Sequence, residues 1–144
     1  PETARMALRA AMTGHLVLST LHTANACQAP FRLMEMGVEP HLVAAGLNAV
    51  LAQKLVRKVC SSCYGLATGC SRCGGTGYAD RTGVFQLLVM NTVLREMLLQ
   101  LPSLAAFQER ALAGQWLLSS SQFDKVESHF LVSRQPFEKG AVST

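Results

Sequence analysis

Cys60-Ser-Ser-Cys63 and Cys70-Ser-Arg-Cys73 place four of the chain's five cysteines in residues 60–73, as two C-x-x-C pairs. Disulfides are a poor use of these thiols. The chain opens PETARMALRAA, with two arginines and no following apolar region of export-signal type, and a reducing compartment keeps thiols free. Two C-x-x-C pairs supply four thiolates, the tetrahedral ligand set of a structural Zn²⁺, so Cys60, Cys63, Cys70 and Cys73 are expected to bind one. Gly65 and Gly75 each stand two residues past the second cysteine of a pair. A turn folding back over a metal needs positive φ there, and its amides can then donate to the sulfurs. Closed four-sulfur coordination leaves no position for water, so the expected role is structural. Cys27 stands alone near a helix start and reads as a small core residue.

The charge distribution agrees with a metal loop. Of 13 Lys+Arg and 9 Asp+Glu, the excess lies in residues 54–81: Lys54, Arg57, Lys58, Arg72 and Arg81 against Asp80 alone. Four thiolates with Zn²⁺ carry a formal −2, which Lys58 and Arg72 would offset while lowering the thiol pKa values. Only Tyr64 lies in that stretch before Tyr78, so a nucleic-acid interface is not expected.

With 144 residues, 49% hydrophobic and 15% charged, the chain can bury a core and is one domain or a piece of one. Bulk disorder is excluded by that composition. The longest apolar stretch, Leu42 to Ala52, is too short for a transmembrane helix and carries Asn48. The chain reads as soluble and not exported.

Periodicity and capping residues give an outline. Glu2 to Met12 is expected to be helical, stopping near Gly14. His15 to Leu21 reads as a strand buried on both faces of a parallel sheet, which argues for α/β layering. Thr20, His22 and Thr23 would follow at the carboxyl edge of that sheet, where ligands bind; on spacing alone, His15 and His22 simply bracket a strand. Asn25 caps a helix to about Met36, with Pro30 inside it and Gly37 ending it. Pro40 opens a longer helix to about Lys58, whose last turns gather Lys54, Arg57 and Lys58 against the helix dipole. Gly83 to Met90 reads as a strand, Asn91 and Ser103 cap helices ending near Gln100 and Gly114, and no clean period follows Trp116. The P-loop pattern G-x-x-x-x-G-K-[ST], G-x-S-x-G and H-E-x-x-H are all absent.

Several blocks, taken together, resemble a known family. Glu2-Thr-Ala4, the run Thr13-Gly-His-Leu-Val-Leu-Ser-Thr-Leu-His-Thr23, Arg32 to Pro40, Leu51 to Cys60, Gly69 to Tyr78 and Arg81 to Phe85 look like the carboxyl half of the secretion ATPases. These are the hexameric motors of type II secretion and type IV pilus assembly. The resemblance implies an α/β fold: the carboxyl-terminal part of a RecA-like P-loop nucleotidase domain, with an inserted four-cysteine zinc lobe and a helical carboxyl-terminal region. Its divisions would be 1–59 (back half of the ATPase core), 60–80 (zinc lobe), 81–114 (strand and helices) and 115–144 (a divergent tail).

The same resemblance implies that Thr13–Thr23 is the family's histidine box, with His22 as the γ-phosphate-side contact and His15 and Thr20 in support. It implies Zn²⁺ on the four cysteines, and ATP and Mg²⁺ only together with an upstream half that carries the P-loop, the aspartate box and Walker B. Expected partners are further copies in a hexamer and an inner-membrane platform, with the protein cytoplasmic and peripheral to that membrane. Pro30 falls within a helix that the family usually leaves unbroken, and Gln86 stands where the family usually has glutamate. The alternative is a stand-alone zinc-stabilised interaction module that binds a partner ATPase or the platform without catalysis. A chaperone-type zinc domain fits Cys70–Gly77 alone and leaves Thr13–Thr23 unexplained.

Overall fold

A computed structural model describes residues 2–66 and 68–120 as a mixed α/β structure. Its elements are α1 (Glu2–Met12), α2 (Gln28–Glu35), α3 (Pro40–Gly46), β1 (Ala49–Val59), β2 (Tyr78–Val89), α4 (Thr92–Leu99), α5 (Leu104–Ala113) and β3 (Leu117–Ser119). The three strands form one sheet in the order β1-β2-β3, antiparallel throughout.

Local chemistry sets most helix ends where the capping residues place them. Asn91 Oδ1 accepts from the Leu94 amide at 3.0 Å, and Ser103 Oγ from the Ala106 amide at 3.2 Å, so α4 and α5 start as expected. Asn25 Oδ1 accepts from the Gln28 amide at 3.1 Å in the turn before α2, but the N-cap of that helix is Cys27, two residues later than an Asn25 cap would place it. Pro30 is the third residue of α2, where an amide would have no intrahelical acceptor, so the helix is not broken by it. Gly37 closes α2, with the Val38 amide donating back to Leu33 O at 3.1 Å.

The long helix expected over 40–58 is not formed. α3 stops at Gly46, Leu47 is extended (φ −83, ψ 122), and residues 49–59 are strand. In the strand, burial and not apolarity alternates at period two. Val50, Ala52 and Val56 face inward while Leu51, Gln53 and Leu55 face out. β2 decides between helix and strand by pairing with β1 from Ala49↔Val89 to Val59↔Tyr78. Lys54, Arg57 and Lys58 therefore lie along a strand and not at a helix terminus. The freed carbonyls of α3 are capped from α4 instead: Arg95 Nη1 donates to Ala44 O and Ala45 O, and its Nη2 to Asn48 Oδ1 at 3.0 Å. β2 itself starts at Tyr78, five residues before the expected Gly83, because β1 is there to pair with it.

The strand expected at His15–Leu21 is also not formed, and the sheet is not parallel. Leu16 and Leu18 are 88% and 86% exposed, in a stretch without regular secondary structure. A doubly buried strand needs neighbours to take its amides and carbonyls. Among the described residues, no strand flanks this one.

The core lies between the inner sheet face and the helices: Leu8, Val38, Leu42, Val43, Leu88, Leu94, Leu98 and Phe107 are buried together. Phe31 meets Phe107 edge-on, with ring centroids 5.5 Å apart. Cys27 is fully buried here, as its reading as a core residue required. Gln86, on the central strand, is the one polar side chain fully buried among the described residues; its Oε1 accepts from the Ala26 amide at 2.8 Å.

α1 and α3 approach closely enough that a Cβ on Gly46 would meet Leu8 O at 2.9 Å and Leu8 Cβ at 3.0 Å. Gly46→Ala is expected to lower the unfolding free energy by about 1–3 kcal/mol. Urea titration would show it as a lower midpoint with unchanged slope; an unchanged midpoint would contradict the close α1–α3 contact.

Candidate metal centre

The β1–β2 hairpin carries the four cysteines in the connection between its strands. Cys60 follows β1 directly, and its amide donates to Gly77 O at 2.9 Å, one step beyond the Val59↔Tyr78 pair. The strand ladder thus holds the two ends of the loop together before any metal is considered.

Each C-x-x-C segment is a tight turn. In the first, the Tyr64 amide donates to Cys60 O at 2.8 Å, and in the second the Gly75 amide donates to Cys70 O at 3.2 Å. These turns bring the backbone into the left-handed region: Gly65 has φ 86° and Gly75 φ 76°, as their placement two residues past each pair required. Gly77, which sequence reasoning did not single out, contributes more directly. Its φ is 77°, a Cβ there would meet Gly65 O at 3.0 Å, and its amide donates to Cys73 Sγ at 3.3 Å. The visible signal was the run Gly74-Gly75-Thr76-Gly77. Thr76 Oγ1 also donates to Cys73 O at 2.7 Å, fixing the second turn.

These turns bring all four Sγ atoms within 4.8 Å of one another. Cys60 Sγ lies 3.8 Å from Cys70 Sγ, and Cys63 Sγ 3.7 Å from Cys73 Sγ. A tetrahedron of sulfurs about 2.3 Å from a central ion has edges of about 3.8 Å. All four are free thiols, so the quartet fits a metal ion with little movement. Cys60 and Cys73 are buried and Cys63 and Cys70 half-buried, so the donor set lies mostly out of solvent.

The thiols are unequally ready to ionise. Burial opposes ionisation of Cys73, but the Gly77 amide, the Cys70 and Cys63 thiols and the Gly75 amide outweigh it and bring that thiol down to about 6. The amides of Ser62 and Cys63 lower Cys60 against its burial. The Cys73 amide also favours the Cys70 thiolate, yet burial and hydrogen bonds to Cys73 and Cys60 raise that thiol overall. Four adjacent thiolates repel one another, and a bound cation removes the repulsion.

The other candidate residues stand apart from this centre in the sequence and in their surroundings. His15 is exposed, with Nδ1 3.1 Å from Thr13 Oγ1 and 3.3 Å from Ala10 O at the end of α1. Thr20 and His22 are exposed in the same irregular stretch. Arg57 stacks over the Tyr78 ring at 4.6 Å, near the base of the metal loop.

The family model described as "Type II/IV secretion system protein" matches residues 1–135, which runs past residue 114, where the motif resemblance fades. Among curated relatives, type II secretion system protein HxcR of Pseudomonas aeruginosa is 47% identical over 105 residues, covering 69% of this chain and 22% of that protein. The type IV pilus assembly ATPase PilB of Thermus thermophilus is 42% identical over 135 residues, 76% of this chain and 15% of its own length. Type II secretion system ATPase E of Vibrio cholerae is 40% identical over 120 residues, 67% of this chain and 24% of that protein. The chain therefore spans less than a quarter of the length of each.

Metal binding to thiols displaces their protons, so affinity falls as pH falls. Cys73 gives up its proton most readily and Cys70 resists doing so, so binding must displace protons, and the chain is expected to hold one metal ion at pH 7.5 and to lose it as acid returns protons to the thiols. Each proton taken up costs about tenfold in affinity per pH unit. Metal content measured after dialysis at pH 7.5 and pH 4.5 checks this; equal retention at both would contradict it.

Proposed function

The chain belongs to the type II/IV secretion system protein family, and from that membership we propose that it is the carboxyl-terminal portion of a secretion or pilus-assembly ATPase. The match of the family model over residues 1–135 carries this reading. Relatives whose names include ATPase, from both type II secretion and type IV pilus assembly, support it.

In this reading the chain contributes the back part of a RecA-like nucleotidase domain within a hexamer. That hexamer works at the cytoplasmic face of an inner-membrane platform and drives assembly of a pilus or pseudopilus. The divisions 1–59, 60–80, 81–114 and 115–144 are kept as its organisation; β3 falls in the last, and residues from 121 onward lie outside those described. ATP and Mg²⁺ bind only together with P-loop and acidic residues that this chain does not contain.

His22 is the γ-phosphate-side contact, with His15 and Thr20 in support. Its exposure suits contact with a group supplied from elsewhere. A histidine there can report the presence of the phosphate by hydrogen bonding and so couple hydrolysis to domain movement.

The metal on Cys60, Cys63, Cys70 and Cys73 is Zn²⁺. An all-thiolate, tetrahedral, mostly buried donor set favours it over hard cations, which take oxygen ligands. With all four positions filled by protein, the ion has no open site for water, so it stabilises the loop and takes no part in hydrolysis.

Two outcomes test the reading. Elemental analysis of the purified chain is expected to give one zinc per molecule, lost together with solubility in Cys60→Ser/Cys63→Ser; a metal-free wild-type chain with full stability would overturn the zinc assignment. The 144-residue chain alone is expected to hydrolyse no ATP above background. Joined in frame behind the preceding part of a relative, it should support turnover that His22→Ala lowers on the order of 10²-fold. Turnover by the chain alone that survives repurification and vanishes in His22→Ala would overturn the division of labour.

A further inference from the structure

We infer that Gln86 is a positioning residue that ties the histidine-bearing segment to the metal-carrying hairpin through its hydrogen bond to the Ala26 amide. Its functional meaning rests on the proposed role of His22, but the tie itself does not.

Gln86 is 1% exposed, and burying an amide side chain is costly unless its polar atoms are paired. Its Oε1 accepts from Ala26 N at 2.8 Å, across 60 residues of sequence. The acceptor sits on a rigid support. Gln86 is on the central strand, paired with Ala52 of β1 on one side and Ser119 of β3 on the other. The donor sits where the chain enters the core: Ala26 and Cys27 are fully buried.

On the other side of Ala26 the situation reverses. His22 is four residues upstream and exposed, and residues 15–23 have no regular secondary structure. Bonds such as that from the Ala24 amide to Gln28 Oε1 at 3.0 Å join this stretch to neighbours in the sequence. Ala26 is thus a point at which the path leaving the histidine segment is fixed to the sheet. From Gln86, β2 runs back to Tyr78 and the cysteine loop, about 26 Å away at about 3.3 Å per residue. Any displacement of His22 that pulls on Ala26 acts on the same strand that ends at the metal loop.

Amide hydrogen exchange by NMR on the full 144-residue chain tests this. In the wild type, the Ala26 amide is expected to exchange as slowly as the β1–β2 ladder, while amides of residues 16–23 exchange freely. A freely exchanging Ala26 overturns the inference without any variant. Gln86→Met fills the same space without an acceptor and should speed Ala26 exchange on the order of tenfold while the ladder stays protected. Gln86→Glu retains an acceptor oxygen and should restore slow exchange. In ¹³C-histidine-labelled protein, Gln86→Met should move the His22 resonance and leave that of His41 in place. Acceleration of Ala26 only in step with the ladder, or an unmoved His22, would make Gln86 merely a packing residue. If the joined protein loses no turnover in His22→Ala while Ala26 keeps its Gln86-dependent protection, the phosphate reading fails and the tie stands.

Discussion

The β1–β2 ladder is the interaction on which the other described features depend. It runs unbroken from Ala49↔Val89 to Arg57↔Arg81 and resumes at Val59↔Tyr78. Its inner face supplies Val84, Leu88 and the buried Gln86 to the core. Its open end brings Cys60 and Gly77 together, and its far edge receives β3. Without it, the two C-x-x-C turns would be separate pieces of loop, and the sulfurs would have to find one another against the entropy of closing that loop. Pairing the strands first makes the metal site local.

The local parts of the site were legible in the sequence because backbone sterics and ligand chemistry act over a few residues. The cysteine spacing, the glycines at 65 and 75, and the caps at Asn91 and Ser103 all correspond to structure. The failures share a different cause. Residues 49–59 carry apolar side chains on both strand faces, Leu51 and Leu55 among the exposed ones, so no period-two signal marks the strand, and only the partner strand, some thirty residues away, fixes it. His15–Leu21 has the composition of a buried strand, but composition does not provide the neighbouring strands. Gly77 and Gln86 were missed as participants because their roles depend on contacts distant in sequence: the first with Gly65, the second with Ala26.

Charge and polarity follow the same division. Arg95 can satisfy the carbonyls at the end of α3 only because that helix stops at Gly46; a continuation to residue 58 would have used them internally. Lys54, Arg57 and Lys58, which would have flanked a helix terminus, instead line the strand leading to the cysteine loop. The positive charge of residues 54–81 is thereby spread along one hairpin whose end holds the most readily ionised thiols.

The hairpin is also fixed at both ends by chemistry that recognises residue identity. At one end Leu88 and Gln86 must face inward, since a shift of one residue would turn them to solvent. At the other, Cys60 must meet Gly77 for the turns to aim their sulfurs inward. A slipped pairing would satisfy neither condition, so the cysteine quartet checks strand alignment as well as holding the loop. A metal ion bound there selects, from all the ways two such strands can pair, the one alignment in which the core is also correctly filled.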